Sequence, residues 1–252
     1  MDIAIITGAS SGLGKEYFCE IAKNCRELDE IWLIARRRDR MEALAALFPE
    51  RKVEIFSLDL FDTSSFDKLS EILKERGANV KMLINNAGVG KLGNIADEPY
   101  TTQLPMIDLN CRALSAMASV VLPFMKKGSF ILNVCSIAAF APTPRMTVYS
   151  STKAYVMSFS RSLRYELKEK GINVLAVCPG PMDTEFLEVA DIKGNSKTFK
   201  TLPYCDPKQV ARISLEKAAR GRAVYTPTAT FKFYRVLAKL LPHGIVMNMS
   251  KT

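Results

Sequence analysis

The chain has 252 residues, 48% hydrophobic and 24% charged, a balance that excludes a disordered or low-complexity chain. Its formal charge is +9 and it holds one histidine, His243, so a histidine-rich metal site or a serine-hydrolase triad is not expected. Seven positive residues (Lys217, Arg220, Arg222, Lys232, Arg235, Lys239 and Lys251) follow Glu216, the last acidic one, and the body is close to neutral.

Six cysteines (Cys19, Cys25, Cys111, Cys135, Cys178 and Cys205) form no CxxC pair. They read as buried thiols in a reducing compartment, and a cytoplasmic location is expected. No apolar run reaches about 18 residues, so a membrane-spanning helix is not expected. The longest run, 113–125, is broken by Ser115, Ser119 and Pro123. The first strand-like run begins at Asp2, which leaves no room ahead of it for a signal peptide.

Short apolar runs are predicted as strands at Ile3–Ile6, Ile31–Ala35, Val53–Leu58, Met82–Ile84, Phe130–Val134 and Asn173–Val177. Helices are predicted between them at Leu13–Asn24, Asp39–Phe48, Ser64–Arg76, Thr101–Lys126 and Val148–Lys170. Apolar strands alternating with helices predict a doubly wound parallel sheet with helices on both faces. No linker or repeat divides the chain, so a single Rossmann-fold α/β domain over 1–252 is expected. The segment 183–203 follows a strand and contains Gly194-Asn195-Ser196. It suits a mobile lid or an ordinary surface loop.

The first strand enters Thr7-Gly8-Ala9-Ser10-Ser11-Gly12-Leu13-Gly14, and then a helix starts. Glycine there permits a tight turn and close backbone approach, and the helix N-terminus offers N–H groups to a phosphate. Arg36-Arg37-Arg38 follows the second strand, where an acidic residue would bind the two ribose hydroxyls of NAD. Arginines there complement a 2′-phosphate and predict NADP(H). Later come Asn85-Asn86-Ala87-Gly88, Asn110, Ser136, and Tyr149 with Lys153. Tyr149 and Lys153 are four apart and share a helix face, so the ammonium is expected to lower the phenol pKa from about 10 and fit it for proton exchange.

This ordered set resembles the short-chain dehydrogenase/reductase family. The matching motifs run from Thr7 to Thr184, about 70% of the chain, and include Pro179, Gly180 and Thr184. The resemblance implies that Gly8, Ser10, Ser11, Gly12, Leu13 and Gly14 wrap a pyrophosphate and its ribose, and that Arg36 and Arg37 hold the 2′-phosphate. Asp59 and Leu60 would meet adenine. Asn86, Ala87 and Gly88 would line the adenine and ribose path, and Pro179, Gly180, Met182 and Thr184 the nicotinamide. Tyr149 would pass the proton while Lys153 tunes it and binds ribose, Ser136 would polarise the carbonyl, and Asn110 would hold a relay water. Cys135 reads as a buried strand residue, not a nucleophile.

The substrate site implied by the resemblance lies in 183–203, 137–148 and 89–100, with Ser136, Phe140, Tyr149 and Phe186 as substrate contacts. Apolar side chains there suggest a bulky lipophilic alcohol or ketone such as a hydroxysteroid or bile acid. A 3-oxoacyl thioester reductase, a general carbonyl reductase and a non-catalytic NADP sensor are the alternatives. No metal is expected. The basic, apolar extension 223–252 contains a predicted helix over 231–241. It could meet an anionic membrane surface, an acidic substrate tail or a partner subunit. Its charge is not interleaved with a nucleic-acid-binding motif, so nucleic acid is not expected. A homodimer or homotetramer is implied through the helices 101–126 and 148–170.

Overall fold

A computed structural model describes residues 1–249. Lys251, counted above in the basic tail, lies outside the described residues. The strands are β1 (Asp2–Thr7), β2 (Glu30–Ala35), β3 (Val53–Ser57), β4 (Asn79–Asn85), β5 (Phe130–Val134), β6 (Asn173–Val177) and β7 (Val224–Tyr225). They form one parallel sheet in the order β3-β2-β1-β4-β5-β6-β7. The order reverses direction between β1 and β4, which opens a crevice at the carboxyl ends of the central strands.

Helices α1 (Gly12–Asn24), α2 (Arg38–Ala45), α3 (Ser64–Glu75), α4 (Tyr100–Ile107), α5 (Leu114–Val121) and α6 (Thr147–Glu166) connect the first six strands. Two short helices, α7 (Glu185–Val189) and α8 (Lys197–Thr201), lie in the segment after β6. Then come α9 (Pro207–Ala219), α10 (Ala229–Leu240) and α11 (His243–Met249).

Strand side chains alternate between faces. Ala4, Ile6, Ile31 and Leu33 meet Tyr17, Phe18 and Ile21 of α1 and Val210 and Leu215 of α9. On the other face Ile3, Ile5, Trp32 and Ile34 meet Leu69 and Leu73 of α3, Met117 and Val121 of α5 and Leu163 of α6. Both layers exclude water, which is why the strands read as apolar on both sides.

The structure departs from the expected elements in four places. Helix α2 ends at Ala45 instead of Phe48, because Pro49 disfavours helical geometry in the residue before it. Helix α6 ends at Glu166 instead of Lys170, and Gly171 turns the chain at φ +67. The predicted 101–126 helix is a helical run whose middle, Asp108–Ala113, is a π-turn. That run is as long and apolar as a membrane-crossing helix needs to be. Its inner side nevertheless buries Met106, Asn110, Leu114, Met117 and Val121 within the fold, as a core helix does. Finally, α7, α8, α9, α11 and β7 were not among the predicted elements. The start signal of α9 was legible: Asp206 caps it, its carboxylate accepting from Lys208 N at 3.0 Å, and Pro207 opens it. Strand β7, two residues long, gives no periodicity to read.

Candidate active site

The end of β1 is tied to the end of β4 by short polar contacts. Thr7 Oγ1 accepts from the backbone N–H groups of Asn86 at 3.0 Å and Ala87 at 3.1 Å. Asn86 Nδ2 donates to Thr7 O at 3.0 Å and Gly8 O at 3.2 Å. Asn86 thus holds the glycine turn, and Thr7, to which the sequence assigned no role of its own, is its counterpart.

The turn needs its glycines for separate reasons. Gly8 has φ +65, and a Cβ there would come within 2.9 Å of Ala87 Cα. Gly12 has φ +52 and faces Thr184. Gly14 lies beneath the groove lining, where a Cβ would sit 2.2 Å from Gly8 O. Its place in the turn is to let α1 approach the end of β1. Gly14→Ala should therefore cost about 1–3 kcal/mol of stability, a melting temperature lower by several degrees, whereas an unchanged melting curve would contradict this packing.

A groove of about 510 Å³ runs over the carboxyl ends of the strands. One end is lined by Gly8, Ser10, Ser11, Gly12, Leu13 and the Arg36, Arg37, Asp59 and Leu60 side. The middle passes Ala87, Gly88, Pro179, Gly180, Met182 and Thr184, and Asn86 also lines it. The Ser11 side chain makes no capping bond to α1, which leaves its first N–H groups for an anion. Such a cradle fits a dinucleotide pyrophosphate.

Arg37 is already engaged. Its Nη1 donates to Glu185 Oε1 at 2.7 Å, its Nη2 to Ser11 Oγ at 2.8 Å, and its Nε and Nη2 to Ser10 Oγ at 3.2 and 3.1 Å. Arg40 also reaches Glu185, at 3.1 Å. The Arg37 contact, with Ser11 and Arg40 adding to it, holds the Glu185 carboxyl at about 2, below the usual 4.5. The pair therefore contributes fully above pH about 4.5 and is lost as pH falls towards about 2. It spans from the β2 end of the groove to the start of α7. Arg36 is exposed and lines the groove beside it. The sequence singled out neither Glu185 nor Arg40, because ion pairs 145 residues and more apart leave no local pattern.

At the other end Ser136 follows β5, and Tyr149 and Lys153 stand one turn apart on α6; all three line the groove and are buried. Lys153 Nζ donates to Val134 O at 2.9 Å and lies 5.7 Å from the centre of the Tyr149 ring. The expected lowering of the Tyr149 pKa is reversed here. Burial pushes the phenol well above its ordinary value, only partly offset by the Ser136 hydroxyl. Burial likewise lowers the Lys153 pKa. Desolvation is the largest influence on both groups, so the phenol is held neutral in this structure.

Asn110 does not line the groove. Its Oδ1 accepts from Val89 N at 2.9 Å, while its Nδ2 donates to Val89 O at 2.9 Å and Thr152 Oγ1 at 3.0 Å. Both amide protons are committed, so the Asn110 side chain offers an expected relay water only an acceptor lone pair. Asn110 pins the loop after β4 beneath Lys153, and a Cβ on Gly88 would press against it at 2.9 Å.

The apolar end is walled by Met146, Phe186, Leu187, Phe199, Leu202 and Tyr234. Phe186 lies 5.7 Å from the Tyr149 ring. The Phe140 ring turns to Tyr234 at 6.2 Å and lies under the Arg235 guanidinium at 5.9 Å, behind the groove lining. Thr230, Phe231 and Tyr234 of α10 line the groove there, brought in by long-range folding. Segment 183–203 covers the groove and is joined to the β4–α4 loop by Leu92 N donating to Ala190 O at 2.9 Å and by Lys91 pairing with Asp191 at 3.2 Å. Among the described residues no group of three or more His, Cys, Asp or Glu gathers to hold a metal. Cys135 is 2% exposed and its thiol donates to Lys153 O at 3.1 Å.

The short chain dehydrogenase family matches residues 2–193 of the chain. The chain belongs to the short-chain dehydrogenase/reductase family. This dehydrogenase is 34% identical over 231 residues to an NADP-dependent 3-hydroxy acid dehydrogenase of Schizosaccharomyces pombe, covering 87% of this chain and 88% of the relative. Its fold is similar to a short-chain dehydrogenase from Sphingobium yanoikuyae in complex with NADPH, at 29% identity and a TM-score of 0.81 over 95% of this chain and 93% of that one. It is also similar to the bulky-bulky ketone specific alcohol dehydrogenase from Comamonas testosteroni, at 28% identity and a TM-score of 0.76 over 95% and 92% of the two chains. The protein is an oxidoreductase of this family.

Proposed function

We propose that this dehydrogenase moves a hydride between NADP(H) and a bulky, lipophilic secondary alcohol or ketone. The observation that carries the reading is one continuous groove, with a glycine turn and arginines at one end and the Tyr149 and Ser136 hydroxyls facing an apolar wall at the other. A bound nicotinamide dinucleotide supplies or accepts the hydride. Ser136 donates a hydrogen bond to the carbonyl oxygen, and Tyr149 Oη delivers the proton to it. Burial keeps the phenol protonated, so it carries the proton to be delivered, and a positive charge beside the bound carbonyl must offset the raised pKa for the transfer to occur. Lys153, whose stem is fixed by the Val134 bond, holds the ammonium beneath the phenol and offers remaining donors to the ribose.

Among the described lining residues, the cations are Arg36, Arg37 and Lys153. Lys153 is tied to Val134 O beside Tyr149, and the wall of Met146, Phe186, Leu187, Phe199 and Leu202 adds no second cation for the carboxylate of a hydroxy acid, which favours a neutral ketone over the acid substrate named for the yeast relative. Steroid and bile-acid ketones are members of the bulky class, whereas the relatives above support bulkiness and NADP without naming a steroid. NADPH oxidation measured against a series of ketones tests the reading. We expect kcat/KM to rise from propanone to diaryl and polycyclic ketones, and a preference for acetoacetyl thioesters would replace it with the thioester-reductase reading.

For the cofactor, the Arg36–Arg37–Arg40 cluster supports NADP(H), and Glu185 competes with a 2′-phosphate for Arg37. Glu185→Gln should tighten NADPH binding by about 3–10-fold, the scale of one charge-assisted contact, and leave NADH nearly unchanged. Titration of both dinucleotides checks this, and equal changes would separate Glu185 from the 2′-phosphate site. Tyr100, Leu104 and Ile107 on α4 and Tyr155 and Tyr165 on α6 are exposed. These apolar side chains support a second copy of the chain as the partner on that face. Six free thiols support a reducing cytoplasm as the compartment.

A further inference from the structure

Helix α10 has two working faces. It begins at Thr228, whose φ is +55 and whose hydroxyl caps the helix by accepting from Phe231 N at 3.4 Å. Its inner face carries Thr230, Phe231 and Tyr234 into the groove wall. Phe231 lies so close on Gly180 that a Cβ there would meet its ring at 2.1 Å. Ala238 packs with Ala141 and Val246. The helix is therefore fixed to the body and its orientation is set.

The outer face is apolar and exposed. Phe233 is 63%, Val236 53% and Leu240 72% exposed, and Ile245 of α11 adds 50%. At roughly 100° per residue the first three fall within about 60° of one another. Lys232 and Lys239, both exposed, run along one flank of this stripe. No acidic side chain occurs from Lys217 to the end of the chain.

We infer that the outer face of α10, continued by α11, seats this dehydrogenase on an anionic lipid surface. Phe233, Val236, Leu240 and Ile245 enter the boundary between headgroups and acyl chains, and Lys232 and Lys239 meet lipid phosphates, their stems lying along the apolar stripe. Charge selects this occupant over a second copy. A two-fold pairing of the stripe would set the basic flanks against each other with no acidic residue of this segment to offset them. Because the inner face of the same helix walls the groove, seating brings the cavity close to the phase in which a lipophilic ketone dissolves. That consequence rests on the substrate reading above, while the docking itself does not.

The test is flotation of the full-length protein with vesicles of phosphatidylcholine alone or mixed with phosphatidylglycerol. The protein should float with the mixed vesicles and stay behind with the neutral ones, and salt should weaken binding. Lys232→Gln combined with Lys239→Gln, or Phe233→Ser combined with Leu240→Ser, should lower the partition coefficient about tenfold or more. Melting curves and turnover of a water-soluble ketone should stay unchanged in both variants, since all four side chains point outward, and this separates a failure of docking from a failure of folding or of the catalytic reading. Absence of binding to mixed vesicles, equal binding to neutral ones, or unaltered binding by both variants would overturn the inference. A fall in oligomer mass of the Phe233→Ser, Leu240→Ser variant in sedimentation would instead assign the stripe to a second copy and overturn it as well.

Discussion

Tyr149→Phe is expected to lower kcat by about 10²–10⁴-fold, the range for removing a positioned general acid, with NADPH affinity changed less than about twofold. The substitution deletes one oxygen from a ring packed by Phe186 and the neighbouring α6 turn, so the ring's contacts and the helix persist. What disappears is the proton donor beside Ser136. Steady-state kinetics with a fluorescence titration of NADPH separates the two readouts. Activity within a few fold of the parent would show that the proton reaches the carbonyl by another route. A parallel loss of NADPH binding would show that the phenol shapes the cofactor site.

Arg37→Ala should weaken NADPH by about 10–100-fold, from about 1.5–3 kcal/mol for hydrogen bonds to a charged group. NADH should change far less, because it has no 2′-phosphate. The substitution also cuts Glu185 loose from the β2 end, which removes the strap over the groove. Since the Arg37–Glu185 pair is more than a third exposed on the arginine side, its loss should cost little stability. Equal weakening of both dinucleotides would mean that Arg37 serves the strap and not the phosphate. With Glu185→Gln, which keeps the arginine and removes its competitor, the two variants should move NADPH affinity in opposite directions.

The layout of the fold was legible because its strands are buried on both faces and its helices are amphipathic. Ile3–Ile6, Phe130–Val134 and Asn173–Val177 could be read as strands for that reason, and burial in the structure is what their composition reflects. The pairing of Tyr149 with Lys153 in the groove was legible because the two lie one helical turn apart, a spacing that the chain carries locally. What could not be read are features set by distant residues. Glu185 meets Arg37 only after the chain has crossed the sheet, and α10 reaches the pocket only because Phe231 lands on Gly180. The direction of the Tyr149 shift was misread for a related reason. Sequence shows the neighbouring charge of Lys153, whereas the desolvation that raises the phenol pKa depends on how deeply the group is buried.

The proposed reaction is reduction of a bulky ketone by NADPH in this groove. Its most direct measurement is the stoichiometry of NADPH consumed to alcohol formed when the protein is given a diaryl or polycyclic ketone. One alcohol should form for each NADPH oxidised, with no consumption without ketone. Tight NADPH binding with no alcohol from bulky ketones, acetoacetyl thioesters or small diketones would contradict it and leave a dinucleotide-binding protein without turnover.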